Sequence, residues 1–204
     1  MCKSKSVLLT RIFFIISLII LFLGIRKGIL TKQPFFSLHL FTRQTIFLST
    51  IFLFLNFIQI TKNQKISYLG FICFINNVLM AILYLKIEDK TAYQQITKFN
   101  LFVSILEHKF FPLIFGFHYL CIDKNIIEFK KFYISLFYPF IYFCFVFILV
   151  NFFGFTEPYQ FFNSQQFFYI FVIIVVFLIL LSLFIIFLKK YIFHVRVYSK
   201  ISNN

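Results

Sequence analysis

The chain has 204 residues, of which 61% are hydrophobic, 24% aromatic and 13% charged, and this composition excludes an ordinary soluble domain. The formal net charge is +14, but the 20 Lys and Arg residues are scattered between apolar runs, which favours membrane lipids and not nucleic acid as partners. The 37 Phe residues and the absence of Trp are typical of AT-rich coding. We therefore expect the cell membrane of an AT-rich bacterium, with an organellar inner membrane as the alternative.

Six apolar runs are long enough to cross a bilayer, because a hydrocarbon core of about 30 Å requires about 20 helical residues. In chain order they are Val7–Leu23, Leu40–Ile60, Ile66–Leu85, Leu101–Cys121, Phe132–Phe153 and Phe167–Leu188. Strands of an outer-membrane barrel would need alternating polarity, which these runs lack. The sequence predicts an all-α integral membrane protein in which residues 1–204 form a single six-helix transmembrane bundle.

The basic residues predict the orientation of this bundle. An even number of spans places both termini on one side, and that side carries twelve of the basic residues against eight on the other. Because cytoplasmic loops are enriched in Lys and Arg, we expect both termini to be cytoplasmic. The first run has no small-residue cleavage pattern near Gly24 and is predicted to be a retained anchor.

The second span carries a polar stripe on one helical face. Thr42, Thr45, Ser49 and Asn56 occur at i, i+3, i+7 and i+14, positions that a period of 3.6 residues places together. Polar groups inside a membrane are costly and usually face the bundle interior. For Thr45 and Ser49 the alternative is local bonding to a backbone carbonyl or to a neighbouring helix.

The fourth span repeats this pattern around a histidine. Asn100, Ser104, His108 and Pro112 follow one another at intervals of four residues, and Glu107 lies beside His108. A histidine within a predicted span is rare and suggests a functional role, with a role that is only structural as the alternative. The sequence therefore makes His108 the centre of this second polar face.

Thr42 and His108 are predicted to lie at a similar depth. The second and fourth spans both run from outside to inside, and each residue falls near the outer end of its span. We therefore expect the hydroxyl and the imidazole to meet in the outer leaflet. For Glu107 the alternative to a functional role is an ion pair with Arg43 or Lys109 that lowers its burial cost.

The histidines do not predict a metal centre. His108 and His118 are ten residues apart, about 15 Å along a helix, so that they cannot share one ion. His39 lies one turn before Thr42 and is a candidate to join the site, and no Cys or carboxylate spacing completes a ligand set. The sequence predicts neither a metal nor a cofactor.

Four further residues are candidate substrate-binding groups. Tyr138 and Tyr142 share a face of the fifth span around Pro139, and their hydroxyls are predicted to donate to a substrate, with interfacial anchoring as the alternative. Asn76 and Asn77 in the third span are candidate donors to an oxyanion, as are Tyr138 and a backbone N–H near Pro139.

Four segments occur together in an order that resembles a known family. They are LFTRQT at 40–45, LEHKFFP at 106–112, LFYPFIY at 136–142 and EPYQFF at 157–162. The chain from the second span to the end of the sixth is similar to the small bacterial six-span proteins called Pr-six-Pr, distant relatives of the androgen-induced-protein family of membrane hydrolases.

The resemblance implies a chemistry for Thr42 and His108. In the animal relatives a threonine nucleophile and a histidine hydrolyse fatty acid esters of hydroxy fatty acids within the membrane, and these roles fall on Thr42 and His108. The chain departs from the bacterial pattern at Ile46, where an asparagine is usual, and at His118, where an aspartate is usual. These departures imply an altered polar shell around the pair.

The sequence thus predicts a multi-pass membrane protein, and the resemblance implies that it hydrolyses lipid esters with Thr42 as nucleophile and His108 as base. The alternative is a non-catalytic membrane protein, either a small transporter or a structural subunit of a membrane complex. A transporter usually contains broken helices or internal repeats, neither of which is evident in the sequence.

Overall fold

The computed structural model describes residues 3–32, 40–58, 64–87, 97–155 and 167–201. These residues form helices and contain no strand. The α-helices are α1 (Lys3–Leu30), α2 (Phe41–Phe57), α3 (Gln64–Ile87), α4 (Lys98–Ile105), α5 (Phe111–Phe117), α6 (Ile134–Phe153) and α7 (Phe167–Ile201).

Five helical segments of the described residues are long and apolar enough to cross a membrane, which agrees with a helical membrane protein. They are Ser6–Leu30, Gln64–Tyr84, Lys98–Ile122, Phe129–Phe153 and Phe171–Val195. The helix of the second predicted span, α2, has 17 residues and a length of about 25 Å. Helices suit this composition because they satisfy every backbone polar group internally.

Two helices extend well past the C-terminal ends of the apolar runs that predicted them. α1 extends past Leu23 to Leu30, and α7 extends past Leu188 to Ile201. The basic residues after Leu188 do not end the helix, because lysine and arginine are good helix formers and no Pro or Gly follows before Ile201. Hydropathy therefore located these helices and missed where they end.

The fourth predicted span is one helical run, Lys98–Ile122, with two wider turns. α4 leads into a π-helical turn at Leu106–Phe110, and α5 leads into a second π-helical turn at His118–Ile122. The π-helical geometry is rare and is often found at functional sites. We call this segment the fourth helical run.

The sequence predicts one bundle over residues 1–204, and the chain divides into two compact units, Met1–Asn125 and Ile126–Asn204. In the first unit α1 packs on α2, α2 packs on α3, and the fourth helical run contacts all three helices. Its core is aromatic: Phe52 packs against Phe115 and lies close to Gly70, where a side chain would overlap the Phe52 ring.

In the second unit α6 packs on α7. The hydroxyls of Ser135 and Ser182 lie 2.6 Å apart across this contact and are buried. Gly154 ends α6 in the left-handed conformation, with φ of +66°, which a glycine adopts without steric cost.

Candidate active site

Thr42 lies in the first turn of α2, which begins at Phe41. Leu40 precedes the helix in an extended conformation and provides no side-chain cap. The backbone N–H groups of a first helical turn give the helix N-terminus a partial positive charge. The Thr42 side chain, which is buried, is therefore attached where the backbone stabilises negative charge.

His108 lies in the middle of the first π-helical turn of the fourth helical run. Pro112, four residues later, has no N–H to donate to the His108 carbonyl, and its ring would clash with that carbonyl in a regular α-helix. The backbone widens instead, and the Phe111 N–H bonds to the carbonyl of Leu106, five residues earlier. Pro112 thus gives a physical reason for the unusual turn that carries His108.

The structure brings Thr42 and His108 together. The Thr42 Oγ1 atom lies 3.1 Å from His108 Nε2, within hydrogen-bond distance. The other ring nitrogen, Nδ1, lies 2.9 Å from the backbone carbonyl of Ser104. A hydroxyl on α2 and an imidazole on the fourth helical run are therefore in direct contact, in the first unit.

The hydrogen bonds of His108 define which ring nitrogen carries the proton. A carbonyl oxygen only accepts, so that Nδ1 of His108 must donate to Ser104. In the neutral imidazole Nε2 is then the acceptor, and the Thr42 hydroxyl donates to it. This direction is the one that a general base requires toward a nucleophile.

Tyr84 holds the imidazole from the side. Its ring stacks on His108 with centroids 4.3 Å apart and an angle of 18° between the planes. The Lys109 ammonium lies 5.6 Å from the centre of the same Tyr84 ring. Tyr84 was not predicted as a site residue, although its position seven residues after Asn77 places both on one face of α3.

A buried ion pair lies next to both residues along the chain. Arg43 follows Thr42 and Glu107 precedes His108, and the two charged side chains pair with each other. Their side chains are 3% and 1% exposed, so that solvent does not screen the pair. Of the two partners that the sequence allowed for Glu107, the structure pairs it with Arg43.

Ser104 is bonded from two sides. Its carbonyl accepts from His108 Nδ1, and its hydroxyl accepts from the ammonium of Lys27 at 3.0 Å. Lys27 belongs to α1, a helix that the sequence analysis treated as an anchor only. α1 thus contributes a positive charge that is linked to the imidazole through Ser104.

The two asparagines of α3 are not equivalent. Asn77 donates from Nδ2 to the Ser49 hydroxyl and to the Cys73 carbonyl, both at 2.8 Å. Ser49 is seven residues after Thr42, about 10 Å along α2, so that Asn77 is held away from the Thr42 hydroxyl. Asn76 is fully buried, and its amide has no hydrogen-bond partner among the described residues.

Three other predicted positions do not belong to the described residues of the first unit. Tyr138 and Tyr142 belong to α6 in the second unit, where Tyr142 is buried and Tyr138 is half-buried. His39 lies outside the described residues, as does the segment at 157–162. Their predicted roles stay predictions.

A second threonine–histidine contact lies further along the fourth helical run. Thr10 Oγ1 on α1 is 3.2 Å from His118 Nε2, and both side chains are buried. Here the Thr10 hydroxyl donates to the Ser6 carbonyl at 3.0 Å. Its one proton is already used, so that the imidazole must donate to Thr10, and the direction of the bond is opposite to that at Thr42.

The surroundings of His118 are aromatic. The rings of Phe13, Phe52 and Phe115 lie with centroids 6.0, 5.9 and 6.5 Å from that of the imidazole. This contact joins α1 to the fourth helical run. Because the imidazole donates to the Thr10 hydroxyl, it is not arranged as a base that accepts the proton of a nucleophile. Within the described ranges, no group of three His, Cys, Asp or Glu side chains is placed to hold a metal ion.

Comparison with known proteins places the chain in no family. No family model matches it, and neither the curated proteins nor the solved structures contain a match. The resemblance to the Pr-six-Pr proteins therefore rests on the sequence segments alone.

Proposed function

We propose that this chain is a multi-pass membrane hydrolase that cleaves lipid esters with Thr42 as nucleophile and His108 as general base. One observation carries the proposal: Thr42 Oγ1 lies 3.1 Å from His108 Nε2 while Nδ1 lies 2.9 Å from the Ser104 carbonyl, an arrangement in which neutral His108 accepts from the Thr42 hydroxyl. An aliphatic hydroxyl is a poor nucleophile at neutral pH and requires such a base.

The first half-reaction acylates the threonine. His108 Nε2 takes the proton of Thr42 as Oγ1 attacks the ester carbonyl, and a tetrahedral oxyanion forms. The bond to the leaving alcohol then breaks, and the imidazolium gives its proton to the departing oxygen. The products are the free alcohol and an acyl ester on Thr42.

The second half-reaction restores the enzyme. Neutral His108 takes a proton from a water molecule as the water oxygen attacks the acyl ester. The imidazolium then returns a proton to Thr42 Oγ1 when the acid leaves. The partial positive charge at the start of α2 favours negative charge near Thr42 in both steps. The Ser104 carbonyl, as acceptor of the Nδ1 proton, supports the imidazolium that forms between them.

We place this chemistry in a six-span bundle with both termini in the cytoplasm of a bacterial cell. The proposal is supported by five long apolar helices, by α2 as a shorter sixth, and by the excess of basic residues on the terminal side. Phe102, Leu113 and Phe117 on the fourth helical run are exposed, as expected for side chains that contact lipid. Membrane lipids are then both the solvent and the source of substrate.

The proposal is tested with an activity-based probe. Purified protein in detergent is treated with a fluorophosphonate, which reacts with activated hydroxyls, and the labelled residue is located by mass spectrometry. We expect the adduct on Thr42, no labelling of Thr42→Ala, and labelling of His108→Gln reduced by a factor of about 10² to 10⁴, since a general base contributes that much.

The second threonine–histidine contact is the matched control. Thr10→Ala removes a buried hydroxyl that also lies beside an imidazole but bonds in the other direction. We expect this variant to be labelled like the wild-type protein. Equal labelling of the wild type, Thr42→Ala and His108→Gln would contradict the proposal and leave the non-catalytic alternative.

A further inference from the structure

Three helices meet at the buried ion pair. Arg43 lies on α2, Glu107 lies in the first π-helical turn of the fourth helical run, and Gly24 of α1 lies against both side chains. A Cβ atom added to Gly24 would overlap the Arg43 guanidinium and the Glu107 carboxylate. The absence of a side chain at Gly24 therefore leaves the space beside α1 that the pair occupies.

The pair is poorly explained as a source of stability. Two charged side chains that are 3% and 1% exposed have lost almost all of their hydration, and a buried pair is often no more stable than well-packed apolar residues of the same volume. A buried polar contact does specify geometry, because it is satisfied in only one relative position of the helices that carry it.

We propose that Arg43, Glu107 and Gly24 are positioning residues that set the register between α2 and the fourth helical run at which Thr42 meets His108. Each charged residue is the chain neighbour of one member of that contact. A slip of one residue moves a helix by about 1.5 Å and turns it by about 100°, which separates the charges and breaks the 3.1 Å contact. This inference rests on the proposed function for its catalytic consequence.

The consequence concerns the rate and not the binding of substrate. None of these three residues is placed to act on a reacting atom, and a misplacement of about 1 Å at a reacting centre costs a factor of about 100 in rate. We therefore expect disruption of the pair to lower kcat by about 100-fold while KM changes little.

Four variants test the proposal. Arg43→Met with Glu107→Gln removes both charges at nearly constant volume and leaves no uncompensated charge that would prevent folding. Gly24→Ala keeps both charged residues and adds a methyl group in the space that their side chains occupy. The exchange Arg43→Glu with Glu107→Arg restores an ion pair in reverse, and Gly116→Ala is the control, because its added Cβ would meet only Phe74, at 3.4 Å.

Two measurements are made on each variant in lipid nanodiscs: ester hydrolysis, and the ¹⁵N spectrum of protein labelled at its four histidines. His108→Gln assigns the His108 signals. In the neutral pair, Arg43→Met with Glu107→Gln, and in Gly24→Ala, we expect the Nε2 signal to lose its hydrogen-bond shift. The exchanged pair, Arg43→Glu with Glu107→Arg, should regain part of this shift, and Gly116→Ala should leave it unchanged.

The two measurements separate the inference from the function on which it rests. An unchanged His108 signal and unchanged kcat in the neutral pair would overturn the positioning role. If no variant, including the wild type, hydrolyses an ester but the Nε2 signal follows the ion pair, the positioning role stands and the hydrolase proposal fails. A loss of kcat that the exchanged pair partly recovers supports both.

Discussion

The two histidines of the fourth helical run each contact a threonine, and the position of the hydroxyl proton distinguishes the two contacts. The distances are 3.1 Å at Thr42 and 3.2 Å at Thr10, too similar to separate them. The backbone carbonyls make the difference, since the Ser104 carbonyl accepts a hydrogen bond from Nδ1 of His108, whereas the Ser6 carbonyl accepts one from the Thr10 hydroxyl. Of these two threonines, Thr42 is the one whose proton is directed at a ring nitrogen that carries no proton in the neutral imidazole.

Tyr84 gives a prediction at the scale of the residue. Tyr84→Leu removes the ring that stacks on His108, a contact of about 0.5–1.5 kcal/mol, and we expect a loss of about 2- to 10-fold in kcat/KM. Tyr84→Phe keeps the ring and is expected to retain the wild-type rate. Steady-state ester hydrolysis measures both, and equal losses in the two variants would assign the effect to the hydroxyl.

At the scale of the element, the two π-helical turns have different origins. The first is explained by Pro112, which cannot donate to the carbonyl one turn before it. The second closes the fourth helical run, where the Asp123 N–H bonds to the His118 carbonyl five residues earlier and the chain then becomes extended. The first turn changes the direction in which the His108 side chain leaves the helix, and the second turn ends the fourth helical run.

Pro112→Ala tests this origin. With an N–H at residue 112 the i to i−4 bond becomes available, and we expect the turn at 106–110 to relax toward α-helix and to rotate His108 away from Thr42. Activity should fall by about 100-fold, although the helix itself gains a hydrogen bond. Hydrogen exchange at Leu106–Phe111 together with ester hydrolysis checks both effects, and full activity with a relaxed turn would contradict the prediction.

At the scale of the whole molecule, the proposed orientation in the membrane rests on charge. The predicted topology has twelve basic residues on the side of the termini and eight on the other, and we therefore expect Lys65 to be cytoplasmic and Lys98 to be external. Both are exposed in the first unit, which makes them suitable reporters.

Cysteine labelling measures this orientation. In a background with the four native cysteines replaced by serine, Lys98→Cys should react with a membrane-impermeant maleimide on intact cells, whereas Lys65→Cys should react only after permeabilisation. The same accessibility of both positions on intact cells would contradict the predicted arrangement.

Helix location followed directly from the sequence, because a chain this apolar must satisfy its backbone hydrogen bonds internally. Periodicity also placed Thr42, Thr45 and Ser49 on one buried face of α2. It did not predict that Asn77 bonds to Ser49, because the partner of a residue depends on the rotation and axial offset of the neighbouring helix. Those two quantities are results of packing.

The amino-acid sequence by itself determined the apolar helices, the proline that widens the turn at His108, and the two residues proposed for catalysis. Only the tertiary structure decided the direction of the hydrogen bond at Thr42, the choice of Arg43 over Lys109 as the partner of Glu107, and the contribution of α1 through Gly24 and Lys27. Helical periodicity is a property of each segment alone, whereas contacts within about 3 Å depend on how several helices share one interior.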